Sequence, residues 1–430
     1  MFIRLMLTGI GGILLAGTMP AQAPTKTQDI PSPATYREMN ALLGLELWQD
    51  EALWDDDAHE TAQRLRWPEE SRTSYEASYR YYPDADYRVL EARPFSIALY
   101  ADPDKVSGLS LVFANKGDSI QQIGTNTKDK QSIKAARQSL KNYAKAIKND
   151  TAVIKSRLQQ ALGKAAQDQI GRGAKTKEQV NRWDWNSHAI LLSAPRGEYI
   201  RIQIIPVELA DVDGMRQRVN DKDFRQILAK RVSTRANGDV IITDIPMVWQ
   251  GNKGYCVPAT WERYLRYVGI PADMYVLALA GETQAGGGTQ ASAMAAGVSQ
   301  LAHKYHRNIK AFTRPFNTRN VAKWINKGIP VMWCILADQE FYHQELTERA
   351  RTRQAATGDN WKEQVKTWEH KAGRLRPDKT RGHMCMIIGY NPDTKEIAIS
   401  DSWGPDFVER WLTQKEARVI SRDIFYVIQW

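Results

Sequence analysis

The chain has 430 residues, a formal charge of +10, 43% hydrophobic residues and three cysteines. Its apolar content supports real cores and excludes a wholly disordered chain, and its length allows two or three domains of about 100–200 residues. Three cysteines exclude a disulfide scaffold. With seven histidines, no HExxH and no CxxC, neither a structural nor a catalytic zinc is expected, and the lack of GxxxxGKS and GxGxxG argues against a nucleotide enzyme.

The chain opens with a short positive start, Met1–Arg4, an apolar stretch from Leu5 to Thr18 and an A-x-A site at Ala21-Gln22-Ala23. These features predict a secretory signal peptide over 1–23 and an exported mature chain, periplasmic or extracellular. The apolar run is shorter than the about 20 residues of a spanning helix, and no later stretch reaches that length, so no transmembrane segment is expected in the mature chain. Residues 24–35 carry three prolines and read as a linker.

Residues 36–70 read as helical. Asp55-Asp56-Asp57 opens a second helix through Leu65, because acidic residues favour a helix N-terminus; this is a simpler reading than a metal site. Strands are expected at 94–100 and 107–114 around the turn signal Asp102-Pro103-Asp104, and two more between Trp183 and Val207, split by Pro195-Arg196-Gly197. Between these pairs, Ile133, Leu140, Ile147, Ile154, Leu158 and Leu162 recur at helical spacing. Residues 36–215 are read as one α+β domain of undetermined role. Residues 128–182 hold 14 Lys or Arg against 4 Asp or Glu, a net +10 equal to that of the whole chain. A basic amphipathic helix suits an anionic envelope surface, while nucleic acid is disfavoured outside the cytoplasm.

Residues 216–246 form a connector, and a second domain runs over 247–430. It is broken at 338–381 by a segment with 10 Lys or Arg and 8 Asp or Glu, a mixture that predicts exposed helices rather than core. Three segments of this domain carry reactive residue types: Gln250-Gly-Asn-Lys-Gly-Tyr-Cys256, Gly382-His383-Met-Cys-Met-Ile-Ile-Gly-Tyr390 and Ser400-Asp401-Ser-Trp403-Gly404. Pro258 suits a first helical turn, Trp261, Tyr264, Leu265 and Val268 form one apolar face, and Gly269 closes the helix. Cys256 therefore sits at a helix N-terminus, where the dipole favours the thiolate that acyl transfer needs. His383 begins an apolar strand, and Asp401 follows the strand Glu396–Ser400. If the two strands are neighbours, Asp401 fixes the imidazole tautomer and supports its charged form. The Gln250 amide and the Cys256 N–H are suited to an oxyanion hole.

These segments resemble the papain-like cysteine peptidase superfamily, in which a Gln precedes the catalytic Cys by six residues, the His lies in a short apolar strand, and an Asn-Ser-Trp-Gly motif supplies the third member. Here His383 comes 127 and Asp401 145 residues after Cys256, close to the about 130–150 of the superfamily. Asp401 in place of Asn, and Cys256-Val-Pro-Ala-Thr-Trp261 in place of Cys-Gly-Ser-Cys-Trp, resemble the bacterial branch related to bacteriocin-processing, double-glycine leader peptidases. There is no transporter portion, so the leader-peptidase role does not carry over. The resemblance covers about 247–430. It implies an α+β papain-like domain with a helical part and an antiparallel sheet, a Cys256–His383–Asp401 triad, a Gln250 oxyanion donor, a peptide or protein substrate, and no metal or organic cofactor. It further implies that Trp403 shields the His–Asp hydrogen bond, and that the run Gly286-Gly287-Gly288 lets a substrate backbone approach and pair as an added strand. Thr289 is a candidate cap for the helix that carries Met294, Val298, Leu301 and Tyr305. Cys334 and Cys385 are expected to be buried thiols, able to pair only if their strands are adjacent. Transglutaminase-like or cell-wall amidase chemistry uses the same triad, and a catalytically idle envelope-binding protein, its cleft filled by 338–381, is the rival from another class.

Overall fold

A computed structural model describes residues 34–120, 130–216, 219–285, 288–353 and 358–430. The expected export segment, most of the 24–35 linker, and Gly286 and Gly287 lie outside the described residues. Among the described residues no helix is long and apolar enough to cross a membrane. Residues 34–430 form one compact α+β unit.

The first half begins with the helix Tyr36–Leu43, which stops because Gly44 turns left-handed at φ 73°. The chain then runs irregularly to the helix Ala58–Leu65, where Asp57 caps Glu60 N at 2.9 Å. The expected helical stretch 36–70 is thus two short helices, and its end is already strand. The strands are β1 (Glu69–Arg72), β2 (Ala77–Tyr81), β3 (Ser96–Asp102), β4 (Lys105–Asn115), β5 (Ala166–Ile170), β6 (Glu178–Trp185), β7 (His188–Ser193) and β8 (Tyr199–Pro206), in the antiparallel order β1-β2-β3-β4-β8-β7-β6-β5. The run before Pro195 holds two strands rather than one, because Asn186 and Ser187 adopt φ 42° and 62°, the left-handed pair of a tight hairpin turn. The long helix Lys130–Leu162 lies against β4 and β8.

This sheet is buried on both faces. On one, Leu111, Phe113, Ile190 and Ile202 pack with Ile154 and Leu158 of the long helix. On the other, Val112 and Tyr199 pack against Val248, Tyr255, Met274 and Tyr275 from the second half of the chain.

The second half contributes β9 (Val232–Thr234), β10 (Val240–Ile242), β11 (Asn308–Thr313), β12 (Val331–Leu336), β13 (Gly382–Tyr390), β14 (Ile397–Ser400), β15 (Arg410–Leu412) and β16 (Ser421–Gln429). They order as β11-β16-β12-β13-β10-β9, with β14 on β13 and β15 on β14, all antiparallel. The helix Cys256–Tyr267 packs on β13 through Trp261, Tyr264 and Leu265. Burial is not confined to that face: every residue from Val257 to Tyr267 is buried, because the first sheet covers the opposite face and pairs its charges.

Two further expectations are corrected. The helix Ala291–Lys304 buries Met294, Val298 and Leu301, but its N-cap is Gln290; Thr289 instead shares a hydroxyl hydrogen bond with Thr283 at 2.7 Å. The segment 338–381 does form helices, over Leu346–Arg353 and Asp359–Lys371, yet it is not all exposed: Phe341, Tyr342, Leu346 and Arg353 are buried. Apolar residues spaced through a charged run reach the core while the charges stay outside or pair.

Candidate active site

Cys256 is the first residue of its helix and is half-buried. His383 is the second residue of β13, and Asp401 follows β14 directly. β13 and β14 pair with Met386 opposite Ser400, which carries Asp401 back to the histidine end of β13. His383 Nε2 lies 2.6 Å from Asp401 Oδ1. That leaves Nδ1 as the ring nitrogen available to Cys256, whose thiol and the imidazole act on each other electrostatically.

The electrostatics follow from these contacts. Burial alone would raise the Cys256 thiol, but the hydrogen bond and charge of His383, with the Met384 and Val257 N–H groups, bring it below its ordinary value. Burial disfavours the charged imidazole, yet its bonds to Asp401 and Cys256 outweigh that and raise His383 to about 9. Asp401 is fully buried; the nearby Arg410 and His383 overcome that penalty and hold its carboxyl well below the usual range. Both shifts act in the direction of a thiolate facing an imidazolium.

Three residues that sequence reasoning missed complete the setting. Arg410 Nη2 donates to Asp401 Oδ2 at 2.7 Å, and the Tyr342 hydroxyl donates to Asp401 Oδ1 at 2.9 Å. Tyr342 belongs to the charged segment expected to lie outside the core. Arg410 Nη1 also donates to the Tyr342 carbonyl, so the two residues are held together. Arg263, in the Cys256 helix, bonds Ser400 Oγ at 2.6 Å just before Asp401, and its burial lowers its pKa to about 10. No motif flags these three; their roles arise from strands and helices that meet only in the fold.

Gln250 is buried. Its Oε1 accepts from Ser402 Oγ at 2.7 Å, and its backbone N–H donates to the Ser402 carbonyl at 2.9 Å. Its Nε2 donates to the Lys253 carbonyl at 2.7 Å, an acceptor that fixes which end of the amide is nitrogen. One amide hydrogen is thereby used and the second remains for another acceptor. The Cys256 N–H, at the head of its helix, has no intrahelical partner. Trp403 is half-buried and stacks on His383 with ring centroids 4.3 Å apart at 30°.

Of the glycine run, Gly288 is described. Its φ is +92°, a Cβ would meet nothing within 4 Å, and its N–H bonds the Gly254 carbonyl at 2.9 Å, two residues from Cys256. Cys334 and Cys385 are free. Their strands are adjacent, but Cys334 pairs with Met384 and Trp333 with Cys385, so the two thiols point to opposite faces of the sheet. Among the described residues no group of three or more His, Cys, Asp or Glu is arranged to hold a metal ion.

Residues 242–421 match the model of the Peptidase_C39 like family, which bears out the resemblance drawn from the three motifs and supports a cysteine-peptidase fold for this region. The match covers under half of the chain. A similar solved structure is the peptidase domain of Streptococcus ComA, a bi-functional ABC transporter involved in a quorum sensing pathway; it is 11% identical, with 43% of this chain and 96% of that chain covered and a TM-score of 0.28. None of the curated proteins matches the chain.

Proposed function

We propose that the protein is an exported cysteine peptidase that hydrolyses peptide or isopeptide bonds. The observation that carries this reading is His383 held 2.6 Å from Asp401, with Cys256 at the head of its helix and its thiol brought down by His383. The Cys256 thiolate attacks the carbonyl carbon, and the negative charge moves to the carbonyl oxygen, facing the free Gln250 amide hydrogen and the Cys256 N–H. The tetrahedral species collapses as His383 gives its proton to the leaving amine, forming a thioester. Water then attacks the thioester, His383 takes its proton, and the acid leaves with Cys256 restored as thiolate. Asp401 keeps the imidazole oriented in both halves. With His383 raised to about 9, the imidazolium needed for the first proton transfer is lost above that pH, so activity falls on the alkaline side near pH 9.

The test is alkylation of Cys256 by iodoacetamide at about pH 5.5, where an ordinary thiol is almost wholly protonated. Rapid, selective labelling of Cys256 that disappears in His383→Ala is the expected result. Labelling no faster than that of the unfolded chain would sink the reading.

We also infer that the long helix Lys130–Leu162 docks on an anionic envelope surface. Lys130, Lys134, Arg137, Lys141, Lys145 and Lys148 recur every three or four residues and are all exposed, and among the described residues none is paired with a carboxylate. The stripe is about 27 Å long at 1.5 Å per residue. Ile133 and Leu140, one heptad apart, stand beside it 36% and 46% exposed, a combination that fits a lipid interface. Co-sedimentation with phosphatidylglycerol-rich vesicles, weakening steeply with salt and lost in the Lys134→Glu/Arg137→Glu/Lys141→Glu variant, is expected; equal binding to neutral vesicles would refute it.

A further inference from the structure

The segment that carries Gln250 is gripped from the first half of the chain. Met247 N–H donates to Ser71 Oγ at 2.9 Å, and Trp249 N–H donates to Glu70 Oε1 at 2.6 Å. Glu70 is in turn held by Arg80 Nε at 2.6 Å. The Tyr82 hydroxyl donates to the Trp249 carbonyl, and its ring meets the Trp249 indole edge-on at 5.3 Å. On the other side of Gln250, Lys253 Nζ reaches Asp118 at 3.1 Å, with its side chain 1% exposed. That ammonium lies 4.7, 5.8 and 5.5 Å from the ring centres of Tyr82, Tyr255 and Tyr275.

A buried ammonium is costly without a counter-charge and has few alternative positions once paired. The turn between the two grips is equally constrained. Gly251 is left-handed at φ +69°, and a Cβ there would sit 3.1 Å from both Lys253 Nζ and the Tyr82 ring. Glu70, Tyr82 and Asp118 thus hold the peptides on either side of Gln250. The Lys253 carbonyl, which receives the Gln250 amide, belongs to the very residue that Asp118 anchors.

We propose that Tyr82 and Asp118, with Glu70, are positioning residues for the oxyanion donor Gln250, so that the first sheet forms part of the catalytic machinery. The proposal rests on the peptidase reading for what Gln250 does. It assigns the first half of the chain a role that neither the motifs nor the matched segment 242–421 contain. The physical argument is one of tolerance. An oxyanion donor acts only within hydrogen-bond range of where the charge develops, and losing one costs about 10²–10³ in rate. A loop of Gly-Asn-Lys-Gly cannot hold that placement by itself.

Two reactions of the full-length protein separate this idea from simple thiol activation. Acylation of Cys256 by p-nitrophenyl acetate passes through an oxyanion; alkylation by iodoacetamide does not. In Gln250→Ala, acylation should fall about 100-fold, the lower end of the cost of a lost donor, with alkylation within about twofold of the parent. Tyr82→Phe, which removes one hydroxyl, and Asp118→Asn should each slow acylation about tenfold with alkylation equally preserved. Added to Gln250→Ala, neither should slow it further, because each acts through Gln250. Acylation at the parent rate in both variants overturns the proposal. So does an equal loss in the Gln250→Ala background, or a parallel loss of alkylation, which would mean general disruption. A parent protein with no acylation advantage overturns it as well. Rapid acylation with the expected coupling, but no cleavage of any peptide or protein, would leave this inference standing and remove the peptidase reading instead.

Discussion

Asp401 is engaged on both carboxylate oxygens, by His383 and Tyr342 on Oδ1 and by Arg410 on Oδ2. An Asn would still orient the imidazole, but it would leave Arg410, which is fully buried, without a counter-charge. Breaking a buried pair by removing one partner costs about 3–5 kcal/mol. Asp401→Asn is therefore expected to lower the melting temperature by several degrees and to bring His383 down from about 9 toward its unperturbed value of about 6.5. Adding Arg410→Met should recover much of the stability and none of the pKa. Calorimetry and NMR titration of the histidine ring check both, and a single variant as stable as the parent contradicts the argument. The choice of Asp over Asn was legible in the sequence as a departure from the commoner motif. Its physical reason, an arginine nine residues further on and one strand away, was not.

At the scale of elements, helix packing beside the Cys256 helix is set by absent side chains. A Cβ on Gly297, in the helix Ala291–Lys304, would lie 2.2 Å from the Ala280 carbonyl of the neighbouring helix Met274–Ala280. Backbone cannot yield as a side-chain end can, so Gly297→Ala should destabilise by about 1–3 kcal/mol despite its better helix propensity. Urea denaturation measures this, and a neutral or stabilising outcome would show that the two helices move apart freely. Helical periodicity predicted the apolar face of this helix because Met294, Val298 and Leu301 repeat at its pitch. It could not predict that Gly297 is needed, since a mid-helix glycine reads as a weakness until the neighbouring backbone is seen. The segment 338–381 was misread for the same kind of reason. Composition averages over residues, and Tyr342 is a single aromatic whose partner, Asp401, lies 59 positions away.

On the scale of the molecule, the first sheet and the helix Cys256–Tyr267 share buried charges. Arg80 bonds Glu70 at 2.6 Å and reaches Glu262 at 3.4 Å; Arg266 contacts Glu76 at 2.8 Å and Glu262 at 3.3 Å. Burial raises Glu262 to about 7 despite both arginines. Arg80→Met would leave Glu70 and Glu262, both with buried side chains, short of a cation. A loss of about 3–5 kcal/mol is expected, read as a shift of the urea midpoint, and a change below about 1 kcal/mol would mean that the network is solvated. Glu70 also receives Trp249 N–H, so this variant should disturb the Gln250 loop as well.

Local patterns determined what the sequence alone could settle. The order and spacing of Gln250, Cys256, His383 and Asp401, the helix N-terminus under Cys256, the β3–β4 hairpin and the amphipathic long helix all depend on neighbours within a few residues or on motifs that survive as strings. The tertiary structure decided the rest: that Arg410 and Tyr342 hold Asp401, that Cys334 and Cys385 face opposite sides of one sheet, and that the polar face of the Cys256 helix is buried against β1–β4. Those outcomes depend on burial, which strengthens charge pairs and forbids unpaired ones, and on strand register. Both are properties of separate strands and helices brought together by the fold, Tyr342 and Asp401 from 59 positions apart and Arg80 and Glu262 from 182 apart, and no local pattern encodes them.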